Sequence, residues 1–230
     1  MFDVRLFKGA LTFCSFLAAA QYGFTQSNER LAQLSEVTEA ELINPESEDW
    51  LIWRRTYDAQ GYSPLEQIDT TNVDQLKEAW RVDLKDGPNM ATPLVHDGVM
   101  FLASAKDTVL AFDAASGEQL WSYEHHPTGF PSPKIGIALH GDKVIVPTQN
   151  MRVVALEAST GRVIWNHEIS TPDHDTPLRL PYSLRGAPLV ANGMVLQGVT
   201  ATMIPEGGFI IGLDLESGEE VWRFHSIARP

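Results

Sequence analysis

The side chains that might do chemistry in this sequence are few and scattered. His125 and His126 are adjacent and His174 stands beside Asp175, so each pair offers the imidazole and carboxylate groups that hold transition metals when two such clusters converge. Neither pair has a second cluster at ligand spacing, and solvated loop histidines are the simpler reading. Glu46 with Glu48, and Glu219 with Glu220, are carboxylate pairs of the kind used in acid–base work. Solvated charge explains them better. Ser63 and Ser183 lack the strand–turn–helix context of a nucleophile elbow. The glycines in "EGGF" and "TGF" do not lie between a strand and a helix, which excludes a nucleotide-phosphate loop. Trp50, Trp53 and Trp80 would suit a carbohydrate-stacking platform, although core packing is the plainer role. The only thiol is Cys14.

Composition narrows the classes further. The chain has 230 residues, 43% of them apolar, and a formal net charge of −13. That charge excludes nucleic acid or an anionic membrane surface as the main partner, since both require a basic footprint. Residues 1–20 carry Arg5 and Lys8 and then an apolar run ending in Ala18-Ala19-Ala20, the pattern of a secretory signal peptide. Its removal after Ala20 would take Cys14 with it and leave a mature chain without disulfides. The expected location is the periplasm, with no membrane span after cleavage. Residues 21–48 read as an acidic, polar leader, with one short helix over Thr38–Ile43 stopped by Pro45. "TTNVDQL" reads as a helical turn capped by Thr71 or Asn72, and "KEAWRVDL" as a strand.

The elements after residue 90 are short strands separated by turn residues. "TPLVHDGVMFLAS", "GIALHGDKVIVPT" and "APLVANGMVLQGV" each read as strand, two-residue turn, strand. Each leads into one copy of a repeat: "AFDAASGEQLW" (111–121), "ALEASTGRVIW" (155–165) and "GLDLESGEEVW" (212–222). In each copy an acid (Asp113, Glu157, Asp214) is placed to accept backbone N–H groups across a turn, and a glycine (Gly117, Gly161, Gly218) supplies a left-handed residue. A tryptophan (Trp121, Trp165, Trp222) then follows on the last strand. Hairpin plus motif hairpin makes four antiparallel strands, and units of this length with a packing tryptophan predict an all-β propeller with four-stranded blades. An immunoglobulin-like sandwich would also show short strands, but has no reason to repeat a tryptophan-anchored turn at blade spacing.

These motifs resemble the quinoprotein alcohol dehydrogenases, a family of eight-bladed propellers that bind pyrroloquinoline quinone (PQQ) and calcium. The resemblance runs from Asp49 to Pro230. It rests on the lead-in "DWLIWRRTYDAQGYSPLEQIDTTNVDQLKEAW", the three tryptophan-docking motifs and "GGFIIGLDLESGEEVWRFHSIARP". It implies about three blades of a probable eight, a 49–230 partial propeller domain, and oxidation of an alcohol or related hydroxyl compound with hydride passing to the quinone. It also implies a small-molecule substrate and an electron acceptor as partners. Several family contacts are replaced here. Met90 stands in place of a quinone-contacting Glu, and "HHPTGFPSPK" in place of an adjacent cysteine pair. Ile135 replaces an Arg, with Lys134 beside it, and Arg185 replaces a Thr. Thr200-Ala201-Thr202-Met203 replaces a Ser-Gly-Ala-Glu run whose Glu binds calcium.

The implied cofactor-facing set is therefore Met90, Lys134, Arg185, Thr200 and Ala201. No catalytic residue and no metal ligand is identified: a methionine thioether is a poor ligand for a hard cation. Glu206, three positions beyond Met203, is assigned to turn placement. Two rival expectations stand beside the dehydrogenase: a cofactor-free propeller serving as a scaffold in the cell envelope, and an inactive truncated fragment. Three blades leave two apolar faces to cover, so the sequence predicts the N-terminal part of a longer protein, or an oligomer.

Overall fold

The structure, a computed structural model, describes residues 29–125, 135–171 and 182–228. The proposed signal peptide and Lys134 lie outside these residues. Three antiparallel sheets follow one another along the chain, each with its strands in sequence order. The first contains β1 (Leu94–His96), β2 (Val99–Ser104), β3 (Thr108–Asp113) and β4 (Gln119–Glu124). The second contains β5 (Ala138–His140), β6 (Lys143–Pro147), β7 (Arg152–Glu157) and β8 (Val163–Glu168). The third sheet is preceded by a two-residue strand, β9 (Tyr182–Ser183), which pairs with one of its strands. That sheet contains β10 (Leu189–Ala191), β11 (Met194–Ala201), β12 (Phe209–Asp214) and β13 (Glu220–His225).

The first hairpin of each sheet closes as its turn residues dictate. Asp97 and Gly98 take φ of 48° and 73°, and Asn192 and Gly193 take 51° and 69°, the two consecutive left-handed residues of a twisted hairpin turn. The second hairpin of each sheet carries a register shift at one equivalent place, where the strand before the turn faces the tryptophan. Ala111 pairs with Trp121, Ala155 with Trp165 and Gly212 with Trp222, with the irregularity immediately after in each case. The bulge fixes where each indole points.

Those indoles lock neighbouring blades. Trp121 Nε1 donates to Ala158 O at 2.8 Å, and Trp165 Nε1 donates to Leu215 O at 3.0 Å. Each ring lies flat against the glycine of the following motif. A Cβ on Gly161 would stand 2.6 Å from Trp121, and one on Gly218 2.6 Å from Trp165. Two apolar cores fill the gaps between sheets. One joins Phe101 and Trp121 to Leu139, Val144 and Leu156; the other joins Ile145, Val153 and Trp165 to Val195, Ile211 and Leu213.

One expectation needs correction. "KEAWRVDL" forms no strand; residues 77–84 have no ladder partner. Its order comes from Trp80, whose Nε1 donates to Ala114 O at 3.1 Å and whose ring covers Gly117, so it makes the same lock on the first blade. Trp80 also stacks on Phe112, which leaves it no part in a sugar platform. The described part of the leader, residues 29–48, packs on the blades. Thr38 caps the short helix Glu39–Ile43 in a reciprocal box with Glu41, as its sequence suggests. Val37 and Leu42, however, are buried in the first core, and Leu31 and Leu34 pack on it. The expected turn near Thr71 is a 3₁₀ turn over Val73–Gln75 that begins at Asn72.

Candidate functional site

A four-stranded meander places the start of its first strand, the end of its second and the start of its third at one edge. Met90, Arg185, Thr200 and Ala201 therefore share one face of the blade array. Backbone hydrogen bonds tie the blades together there: Thr92 N donates to Ile135 O at 3.1 Å, and Ile135 N donates to Arg185 O at 3.0 Å. The segments carrying Met90, Ile135 and Arg185 thus run side by side across three blades. Lys134, next to Ile135 in sequence, lies outside the described residues.

Asn89 fixes the first of these segments. Its side-chain oxygen accepts from Ser104 Oγ and Ala105 N, both at 2.8 Å, and its amide donates to Lys85 O and Gly87 O. Met90, directly after it, is 65% exposed. On the third blade, pairing of β9 with β11 sets Thr200 opposite Ser183 and Ala201 opposite Tyr182. Arg185 Nε reaches Ser183 Oγ at 3.4 Å. Arg185 and Thr200 are both exposed, so a guanidinium and two hydroxyls converge on one open patch. Gln197, three residues before Thr200 on β11, is fully buried. Its amide donates to Gly198 O at 2.8 Å and weakly to Gly186 O, while its Oε1 has no hydrogen-bond partner among the described residues.

On the first two blades the same face carries a polar cluster. Asp107, buried in the β2–β3 loop, accepts from Gln149 N at 2.5 Å across the blade interface. Tyr123 Oη lies 3.3 Å from His125 Nδ1, and His125 Nε2 lies 2.9 Å from Asn150 Oδ1. Burial, with the negative charge of Asp107, pushes the Tyr123 hydroxyl above its ordinary pKa, so it stays a neutral donor. His125 is thus engaged in side-chain hydrogen bonds. His126, His174 and Asp175 lie outside the described residues. Ser63 Oγ accepts from Leu65 N, a turn bond rather than a nucleophile's setting.

The patch suits an anionic ligand and does not suit a hard cation. Among the described residues no three His, Cys, Asp or Glu side chains gather at metal-binding distance. Met203, in the place of the family's calcium-binding Glu, is 77% exposed with φ of 58°, and Glu206 lies in the turn that follows. No helix among the described residues is long and apolar enough to cross a membrane. Sequence reasoning found Arg185 and Thr200 but missed Ser183 as a partner of either. It also missed Gln197, whose polar side chain interrupts the inward Val195–Val199 alternation and was the available signal.

Three four-stranded blades joined by indole-to-glycine locks define a β-propeller of the tryptophan-docking type. The chain belongs to the PQQ-dependent alcohol dehydrogenase family: residues 50–230 match the family described as "PQQ: Glucose/ethanol/alcohol dehydrogenase, beta-propeller domain". It is 38% identical over 187 residues to the quinohemoprotein alcohol dehydrogenase ADH IIB of Pseudomonas putida, covering 78% of this chain and 26% of that protein. Against the dehydrogenase subunit of the quinone alcohol dehydrogenase of Gluconacetobacter polyoxogenes it is 36% identical over 190 residues, covering 79% and 26%. Among solved structures, the quinohemoprotein alcohol dehydrogenase ADHIIG of Pseudomonas putida superposes with a TM-score of 0.74 at 34% identity, over 85% of this chain and 29% of that one. A europium-containing methanol dehydrogenase superposes with a TM-score of 0.71 at 26% identity, over 83% and 34%. The chain spans about a quarter of the length of the curated relatives it matches.

Proposed function

We propose that this chain supplies the first three blades of an exported, periplasmic PQQ-dependent dehydrogenase acting on an alcohol or related hydroxyl compound, and that its part in the cofactor seat is a cation rather than a metal site. The observation that supports this reading is the run of backbone hydrogen bonds from Thr92 through Ile135 to Arg185, which brings the segments carrying Met90, Ile135 and Arg185 side by side. PQQ, when bound, is the hydride acceptor. What these residues contribute is binding. Among the described residues the Arg185 guanidinium has only a long contact to Ser183, which leaves it able to fork onto a carboxylate of the quinone, with Thr200 paired opposite Ser183. The described residues do not fit calcium, so no step is assigned to that ion here. The indole of Trp222 holds the docking register yet is 40% exposed, in keeping with a further blade that brings its own acid–Gly turn.

Titration of the full chain with PQQ, followed by tryptophan fluorescence with and without calcium, tests the reading. Saturable binding that weakens about tenfold or more in Arg185→Ala, an amount typical of losing a charge-assisted hydrogen bond, and that does not depend on calcium, supports it. Absence of binding, or binding that Arg185→Ala leaves unchanged, removes the cofactor seat. In that case the cofactor-free scaffold becomes the better reading.

A further inference from the structure

On the face opposite the cofactor rim, residues 30–39 cross the first hairpin turns of all three blades in order. Arg30 lies over Gly98 and pairs with Asp113 at 3.0 Å, and Ser35 N and Oγ donate to Asp97 Oδ2 at 2.8 and 2.7 Å. Val37 and Gly141 exchange two backbone hydrogen bonds of 2.9 and 2.7 Å, and Glu39 accepts from Asn192 N. His96, which is 2% exposed, is a buried polar anchor of this strap. His96 Nδ1 lies 2.9 Å from Asp49 Oδ2, and its Nε2 lies 3.2 Å from the Ser35 carbonyl and 3.5 Å from Asp97 Oδ2.

We infer that His96 is an imidazolium in the closed strap, and that its loss of a proton loosens residues 30–39 from the blades. Both ring nitrogens face groups that only accept hydrogen bonds: a carboxylate on one side, and a peptide carbonyl with a second carboxylate on the other. The Ser35 hydroxyl, 3.1 Å from Nε2, does not rescue a neutral ring, because its hydrogen is directed to Asp97. A neutral imidazole in either tautomer therefore sets a lone pair against an acceptor in a buried position. The order Ser35–His96–Asp49 is that of an acyl-transfer triad, but a nitrogen that carries its proton against a carbonyl is no general base. The small cavity beside it, lined by Leu34, Phe101 and Leu139, holds no room for a substrate.

The surrounding charges agree in sign. Burial alone would lower the His96 pKa; the hydrogen bond and charge of Asp49, then the charge of Asp97, outweigh it and hold the ring above its ordinary value. The nearest cations are committed elsewhere: Arg30 to Asp113, and Lys143, which lines the same cavity, to Asp142 and Glu216. A base with a raised folded-state pKa stabilises the closed strap fully below the ordinary histidine value near 6.5, and that contribution is lost as pH rises through the raised value.

Hydrogen exchange on the full chain reads the strap directly, through the Val37 and Gly141 amides. After correction for intrinsic exchange, their protection is expected to fall about threefold or more between pH 6 and pH 9, while β6 and β7 amides stay constant. In His96→Gln the fall should vanish. Nitrogen-15 chemical shifts of the wild-type ring supply a test that needs no variant: both His96 nitrogens should read as protonated at pH 6.5. A pyridine-type nitrogen there, or an equal loss of protection in His96→Gln, overturns the proposal.

Discussion

Replacing Gly161 by alanine isolates the worth of one indole lock. Gly161 has φ of 71°, so any Cβ costs about 1–2 kcal/mol in left-handed strain. The added carbon also falls 2.6 Å from Cε3 and 2.9 Å from Cδ2 of Trp121, nearly an ångström inside ordinary contact. The ring must retreat, and with it goes the 2.8 Å bond from Nε1 to Ala158 O in a site where Trp121 is 8% exposed. A buried carbonyl left unpaired costs about 1–3 kcal/mol. The sum is about 2–5 kcal/mol. Gly193→Ala is the matched control, because Gly193 has φ of 69° but nothing lies within 4 Å of its Cβ, so only the strain remains. Urea unfolding of both variants, followed by far-UV circular dichroism and by near-UV signal from the indoles, separates the two costs. If Gly161→Ala is no worse than Gly193→Ala, the ring-on-glycine contact does not hold the blades together.

The other locks give a graded series. Trp165→Phe should lose about 1–3 kcal/mol with the bond to Leu215 O, whereas Trp222→Phe should lose under about 0.5 kcal/mol in the urea midpoint, since its ring covers no following turn in the described structure. Acid should unfold the protein through its turn carboxylates. Burial would raise Asp113 and Asp97, but hydrogen bonds from Ser116 and Ser35, together with Arg30, hold both below the usual range. A lowered folded-state pKa means stability present above about pH 4 and lost as pH falls through the lowered values. Asp113→Asn should therefore flatten the acid limb of a urea-midpoint profile. His140 contributes in a different window: burial holds its pKa down, so it favours the folded state as pH rises toward the ordinary histidine value near 6.5, and adds nothing further above it, where the His96 loss falls. Wild type minus His96→Gln is the profile that reads the strap alone.

Much of the blade architecture was legible because its determinants are local. Asp97-Gly98 and Asn192-Gly193 demand left-handed turns wherever they occur, and the acid, glycine and tryptophan of each motif lie within nine residues of one another. Even there chemistry refines the pattern. Asp113 and Asp214 each accept two backbone N–H groups and a serine hydroxyl, while Glu157, one methylene longer, takes the Thr160 hydroxyl and pairs with Arg162. Trp80 was misread because its partner, Ala114, lies 34 residues ahead and no ladder announces it. The strap was invisible for the same reason. Ser35 meets His96 at a separation of 61 residues and Glu39 meets Asn192 at 153, so the segment's apolar residues had no local period to reveal them. At the rim, residue types were readable, but the company they keep was not. Ser183 reaches Thr200 only because the short β9 pairs with β11, and nothing local in "PYSLRG" encodes that pairing.

The locks run in one direction. Trp80 serves the turn of blade one, Trp121 that of blade two and Trp165 that of blade three, so each unit offers a receptacle backward and a plug forward. An interface of that kind is indifferent to how many units have gone before it. Duplicating or deleting one whole blade in the gene leaves every remaining plug opposite a matching receptacle, whereas cutting within a blade orphans one of each. Propellers built on this rule are free to change size in whole-blade steps, and the residues that record such a step are the indole and the glycine rather than anything at the cofactor rim.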